Sequence, residues 1–292
     1  MALTFDIVLS GLVLGGMYAL IAMGLTLQYG IARIMNLSYG ESLIASAFAA
    51  MFLYTGMAVN PVLGLLVIVP LSFAANWLLY QVVLMPLVKR AKNQGMLEVD
   101  SILGTFGVLF VIQGVMLVAF GGSLQSYSYL SVPVHILTTT LAANRILALL
   151  FALVIGGGIY LILTRTRFGT ALRAVAVNPV AAQLSGIDIR AASALAFAGG
   201  GAIAAAGGVL ISMFLTFSAA SGVVFTMKAL IVVIMGGVGN MLGALVAGLL
   251  LGVSETAVAR LVDPGLTIAV TYALFLSVLL WRPTGLFGRP AR

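Results

Sequence analysis

The sequence contains no cysteine, a single histidine and few charges of either sign. Without cysteine there is no disulfide framework, thiol nucleophile or thiolate metal site. With His135 alone there is no histidine pair for a metal and no support for a histidine-based triad. No GxxxxGK[ST] loop is present, so the chain does not itself bind and hydrolyse ATP in the P-loop manner. No GxSxG nucleophile elbow is present either. Charged residues make up 7% of the 292 residues, 14 basic and 7 acidic, against roughly 25% in a soluble domain. Hydrophobic residues make up 62%, against roughly 45–50% on average. So few charges cannot clothe a soluble globule of this length, and disordered and disulfide-stapled classes fall with it.

What the chain does have is long apolar runs, at about 5–30, 34–57, 61–86, 101–120, 145–164, 191–217, 241–262 and 265–281. Crossing a bilayer as a helix takes roughly 20 apolar residues. The expected fold is therefore all-α: a polytopic transmembrane bundle of about 8 spans within one domain, 1–292. A shorter run, 227–236, ends at Gly236-Gly237-Val238-Gly239-Asn240. It reads as a broken or re-entrant half-helix over 227–240, buried in protein because lipid does not tolerate open backbone. The first run lacks a basic leader and continues into further spans, so it reads as an uncleaved span.

Net charge +7 reports loop orientation here, and no nucleic-acid partner is expected. Lys89, Arg90 and Lys92 cluster after the third run, Arg165, Arg167, Arg173 and Arg190 in the segment 165–190, and Arg282, Arg289 and Arg292 in the tail. Cytoplasmic lysine and arginine set topology. These segments, with Arg33, are expected inside, the N-terminus outside and the C-terminus cytoplasmic. The segment 121–144 is rich in Ser, Thr and Tyr and is expected to face outward.

Few ionisable residues lie within the runs, and each is a candidate because burying charge in hydrocarbon is costly. Glu41 follows the polar stretch Asn36-Leu37-Ser38-Tyr39-Gly40. It reads either as part of an unwound helix beside a pathway or as a cap paired with Arg33. Lys228 is expected to snorkel to the outer interface. Glu255 reads as a hydrogen-bonding partner of a neighbouring helix or as a transport residue. Gln28, Asn36, Ser38, Tyr39, Glu41, Gln113, Asn240 and Glu255 are the candidates for a translocation pathway. Interhelical hydrogen bonding is the competing role for the amides. The Gly236–Asn240 break would offer backbone groups to a zwitterion or act as a gate. Glycine spacings of the GxxxG type, at Gly11/Gly15, Gly239/Gly243 and Gly248/Gly252, point to close helix packing.

The segment 165–190, RTRFGTALRAVAVNPVAAQLSGIDIR, reads as two short amphipathic helices broken at Asn178-Pro179. Asn178 is a plausible N-cap, and Pro179 suits a first helical position. Asn60-Pro61-Val62 and Asn178-Pro179-Val180 superficially match the paired turns of water channels. The second lies in a charged segment that belongs in water, so the channel reading fails. A structured polar-side helix on a protein without an ATPase site suits docking onto a separate ATPase; a surface helix lying at the membrane interface is the competing reading.

This segment resembles the cytoplasmic coupling loop of branched-chain amino acid ABC transporter permeases of the LivH type. Three further stretches are similar to the same family: GLVLGGMYALIAMGLTLQYGIARIMNLSYGE (residues 11–41), KALIVVIMGGVGNMLGALVAGLLLGVSE (residues 228–255) and WRPTGLFG (residues 281–288). The family commonly has an Asn-Phe-Ala-His-Gly-like stretch where this chain has Asn36-Leu37-Ser38-Tyr39-Gly40. The resemblance implies a non-enzymatic permease in the bacterial cytoplasmic (inner) membrane. It implies a second permease subunit of the related LivM type, two cytoplasmic ATPase subunits and a periplasmic or surface substrate-binding protein. It implies no cofactor in this chain, with ATP and magnesium entering through the ATPases. Arg173, Asn178, Pro179, Ala182 and Gly186 would couple to the ATPase, Ala182 and Gly186 by letting the helix sit close in a groove. Two other readings remain: a stand-alone secondary transporter driven by an ion gradient, and a structural membrane scaffold.

Overall fold

A computed structural model describes residues 2–91, 93–136 and 139–288. Lys92, Arg289 and Arg292, used above for topology, lie outside the described residues. The chain runs through helices α1 (Ala2–Ala32), α2 (Tyr39–Met57), α3 (Pro61–Leu79), α4 (Met85–Arg90), α5 (Gln94–Phe120) and α6 (Ala143–Arg165). It continues through α7 (Arg167–Val177), α8 (Pro179–Leu184), α9 (Ile189–Ser212), α10 (Ser221–Gly236), α11 (Met241–Leu261) and α12 (Thr267–Trp281). A π-turn over Tyr80–Leu84 joins α3 to α4. Among the described residues seven helical stretches are long and apolar enough to cross a membrane. The 19-residue α2 falls outside that group because it opens on the polar Tyr39-Gly40-Glu41-Ser42. The fold is an all-α polytopic membrane bundle, as expected, with one addition. Strands β1 (Pro133–Ile136) and β2 (Thr139–Ala142) form an antiparallel hairpin inside 121–144.

The broken element is longer than the sequence suggested. α10 has 16 residues rather than ten, because Ser221–Thr226 continue the helix in spite of their polar start. At about 1.5 Å per residue it rises roughly 24 Å, still short of a bilayer core. Its end is Gly237, at φ 101°, a conformation that favours glycine. The chain's own tail closes this break. Leu286 N donates to Met235 O at 2.8 Å and Phe287 N to Gly236 O at 3.1 Å. The carbonyls left over at the end of α10 are thus satisfied internally, which corrects the expectation that they face a solute.

α1 and α9 are the central helices; the other elements pack around them. Both are able to lie so deep because their contact faces lack side chains. Gly24 of α1 abuts the Gly200 carbonyl of α9, and Gly208 abuts the Leu43 carbonyl of α2. Gly11 and Gly15 meet Val253, Leu249 and Gly252 of α11 backbone to backbone. The glycine spacings thus serve packing within the chain, where small residues let helices approach without solvent to drive them.

The bundle has two distinct ends. One gathers Arg33, α4, α7, α8, the α10–α11 break and the tail. Arg33 Nη2 donates to Ala176 O at 3.2 Å, and Ala32 and Ile34 pack with Tyr80, Leu84, Ala194 and Phe197. Lys89, Arg90, Arg165, Arg167, Arg173, Arg190 and Arg282 all belong to elements at this end. The other end carries the hairpin and the loop after α9. Gln125 bridges Phe217, Asn144 Nδ2 donates to Met213 O at 2.8 Å, and the Tyr54 and Tyr127 rings lie 5.3 Å apart. Arg260, also at this end, is paired with Asp6 at 3.3 Å.

Two expectations follow. Gly252→Val forces a side chain into the Gly15 backbone and costs about 1–3 kcal/mol or more. It lowers the thermal unfolding temperature of the detergent-solubilised protein; unchanged unfolding would refute the close packing. Tyr127 lies in the loop, its hydroxyl 2.8 Å from that of Ser212, and burial pushes its pKa up to about 12. Its neutral form is therefore favoured in the folded state. The stability this contributes is full below pH ~10, the free tyrosine value, and is lost as pH rises through about 12. Tyrosinate ultraviolet absorbance compared with Tyr127→Phe measures the shift.

Candidate functional site

The sequence candidates separate into two groups and several outliers. The first group is the turn between α1 and α2. The chain leaves the helix at Ala32 and re-enters it at Tyr39, so several backbone groups need partners deep in protein. Gln28 Nε2 donates to Phe197 O at 2.7 Å, and Asn36 Nδ2 donates to Gln28 Oε1 at 3.1 Å. Asn36 Oδ1 accepts from Ser38 N at 3.0 Å and from Ser38 Oγ at 2.7 Å. Thr105 and Thr226 accept from Leu37 N and Gly40 N, at 3.1 and 2.8 Å. Tyr39 Oη donates to Ile21 O at 2.6 Å. These side chains are buried and hold the turn in shape. Thr105 and Thr226 were not among the sequence candidates, since isolated threonines on apolar helices carry no signal.

Glu41 is the exception within this turn. Its carboxylate is fully buried against Gly222 of α10, and neither oxygen has a hydrogen-bond partner among the described residues. It does not pair with Arg33, whose guanidinium lies on Ala176 instead. A buried carboxylate without donors is costly, and it lies where α2 meets α10, the helix with the break.

The second group shares α1 and α10 with the first and centres on Glu255. Lys228 Nζ is 2.9 Å from Glu255 Oε2 and donates to Tyr18 Oη at 2.7 Å. Tyr18 Oη in turn donates to Glu255 Oε2 at 2.8 Å, and Thr271 Oγ1 donates to Glu255 Oε1. Lys228 also sits 4.7 Å from the Tyr18 ring centroid, within cation–π range. Lys228 therefore does not snorkel to the interface. Neutralising a buried acid gains more than the distance to water would allow. A hairpin folded symmetrically about the non-helical residues 237–240 would set Lys228 level with Leu249, about six residues or roughly 9 Å short of Glu255. The pairing was thus not readable from spacing. Removing either partner alone leaves a buried charge and costs about 3–5 kcal/mol.

The remaining candidates stand apart. Gln113 is half-buried on α5, eight residues or about 12 Å along the helix from Thr105. Asn240 caps α11, accepting from Gly243 N at 3.0 Å and donating to Phe287 O at 3.1 Å. In the 165–190 segment, Asn178 caps α8 by accepting from Ala181 N at 3.1 Å, with Pro179 at its first turn. Asn60 caps α3 in the same way. Arg173 is exposed and lies 3.4 Å from Thr170 Oγ1. Gly186 is exposed at φ 81°. Ala182 is turned inward into the core with Leu172 and Val175, so it cannot line an outward contact. The outward apolar groups are Phe168, Val177, Val180 and Leu184. Among the described residues no group of three potential metal ligands is present.

Membrane-length helices around two buried polar clusters, one of them holding an ion pair among α1, α10, α11 and α12, describe a multi-pass membrane protein. The family model described as branched-chain amino acid transport system / permease component matches residues 7–279. The chain belongs to this permease family. It is 28% identical to the high-affinity branched-chain amino acid transport system permease protein BraD of Pseudomonas aeruginosa, over 96% of this chain and 94% of that one. It is 27% identical to the LivH permease protein of Salmonella typhimurium, with the same coverages. It is 26% identical to a probable branched-chain amino acid permease, LivH, of Methanocaldococcus jannaschii, over 95% of this chain and 90% of that one. No solved structure matches.

The two roles open for the turn residues separate by stability. Asn36→Ala leaves Gln28 and Ser38 without their shared partner and costs about 1–3 kcal/mol. Glu41→Gln replaces a buried carboxyl that makes no bond, so the unfolding temperature holds or rises. A fall for Glu41→Gln as large as that for Asn36→Ala would show that Glu41 is bonded.

Proposed function

We propose that this chain is one permease subunit of an ATP-driven importer of branched-chain or related amino acids. In this reading the basic end of the bundle faces the cytoplasm, as lysine and arginine placement favours. The N-terminus and the hairpin then face outward, in a cytoplasmic membrane, toward a substrate-binding protein. A second permease of the LivM type completes the pathway, and two ATPase subunits with ATP and magnesium drive it.

One observation carries the proposal. α7 and α8 form a folded two-helix unit, anchored inward by Leu172, Val175 and Ala182, that leaves Val177, Val180 and Leu184 exposed at the basic end. Such a unit is rigid enough to transmit a push and apolar enough to seat in a groove. Burying one aliphatic side chain stabilises by about 1.5–3 kcal/mol. Closure of the ATPases on ATP would move this unit, and with it α9, which it joins directly. α9 packs against α1, α2 and α3, so its movement reopens the polar turn on one side or the other. Arg173 and Gly186, both exposed, flank this contact surface.

The test is Val180→Asp with Leu184→Asp. Association with the cognate ATPase is expected to fall by about tenfold or more, and ATP-dependent leucine uptake with it. Ala182→Leu is expected to disturb the fold of the segment itself, seen as lowered thermal stability. Full association and uptake in the Asp variants would defeat the coupling role. Leucine uptake by this chain alone in liposomes, driven by an ion gradient without ATP, would favour a secondary transporter instead.

A further inference from the structure

An open groove of about 200 Å³ runs between α10 and α12, with Val224, Met227, Ile268 and Tyr272 exposed along it. Drug-sized ligand pockets run roughly 300–1,000 Å³, so this one suits a single small solute. Its walls are mainly aliphatic, with Val224, Ile231 and Ile268 prominent, and Lys228, Thr271 and Tyr272 supply the polar groups. An ammonium has three N–H donors. Tyr18 Oη and Glu255 Oε2 take two of them, which leaves one for the groove that Lys228 lines. A second cavity, of about 230 Å³, lies among α1, α11 and the start of α6, next to Arg145 and Arg260. Glu255 lines this second cavity.

We infer that the groove between α10 and α12 is a substrate station, in which Lys228 donates to the α-carboxylate of an aliphatic amino acid. The side chain of the solute lies against Val224, Ile231 and Ile268. The inference rests on the permease reading above and names where that permease touches its cargo. The ion pair explains why the station releases what it holds. A lone lysine in a low-dielectric wall would hold a carboxylate tightly. Here Glu255 already neutralises the ammonium, so the solute's carboxylate meets a compensated charge and a single free donor. A transport site has to bind well enough to admit its solute and weakly enough to let it leave. The aliphatic wall contributes side-chain affinity, and the single free donor orients the carboxylate.

The experiment uses the whole reconstituted transporter with its binding protein. Lys228→Met alone leaves a buried acid, so the informative variant is Lys228→Met with Glu255→Gln, which keeps the cluster neutral. Assembly and binding-protein-stimulated ATP hydrolysis are expected to persist, while leucine uptake falls at least tenfold. If the pair serves the fold alone, the double variant transports leucine within twofold of wild type, and the inference is overturned. A second variant, Ile231→Phe, narrows the groove without touching the charges. It is expected to depress leucine uptake more than alanine uptake; an unchanged ratio counts against the station. A lipid acid could occupy the same groove. Co-purified lipid lost from the double variant with leucine uptake intact would identify that occupant and also overturn the inference. Wild-type complex that moves no leucine with ATP would instead defeat the importer reading, a separate result.

Discussion

The close approach of α1 and α9 to their neighbours is the constraint on which the other features depend. Lipid tails are as apolar as leucine, so helices in a membrane gain little by hiding apolar surface. They associate through van der Waals contact and hydrogen bonds, and both need short distances. Gly24 against Gly200, Gly208 against Leu43, and Gly15 against Gly252 supply those distances. The central helices pack along most of their length because there is little side chain to separate them.

Close packing also explains how the polar residues are tolerated. The Gln28–Asn36–Ser38 turn and the Tyr18–Lys228–Glu255–Thr271 cluster sit where backbones are near enough for short side chains to bridge helices. Each cluster joins several helices. The turn links α1, α2, α5, α9 and α10, and the ion pair links α1, α10, α11 and α12. Glu41, buried without a partner against Gly222, marks the α2–α10 contact as the least satisfied part of the interior. An interface that leaves a charge unbonded in one arrangement has a physical reason to adopt another.

The α7–α8 segment and the tail show the same economy at the basic end. Asn178 and Pro179 act as cap and first-turn residue, so the bend between the two helices is defined by side-chain bonding rather than by a flexible loop. The tail lies on the end of α10 and supplies the N–H groups which that helix needs. Movement of α10 would therefore have to carry or release residues 285–288.

Much of the fold was legible in the sequence. Runs of apolar residues identify spans because lipid leaves the backbone no partner but its own helix. The cap at Asn178 was read from the sequence, because capping is a local interaction, whereas those at Asn60 and Asn240 were not. The hairpin within 121–144 was not, since short polar strands lack a periodic signal. The site was legible only as a set of residue types. Gln28, Asn36 and Ser38 converge as their chemistry suggested, whereas Asn240 serves as a cap and Gln113 lies apart.

Composition and local patterning by themselves determined the class: a membrane bundle with a basic end, a broken helix and a structured α7–α8 segment. Only the tertiary structure decided that Lys228 meets Glu255, that Arg33 leaves Glu41 unpaired, and that Ala182 points inward. Each depends on the relative height and rotation of helices distant in sequence. Height and rotation are set by which glycine faces fit together, and spacing along one chain does not encode them.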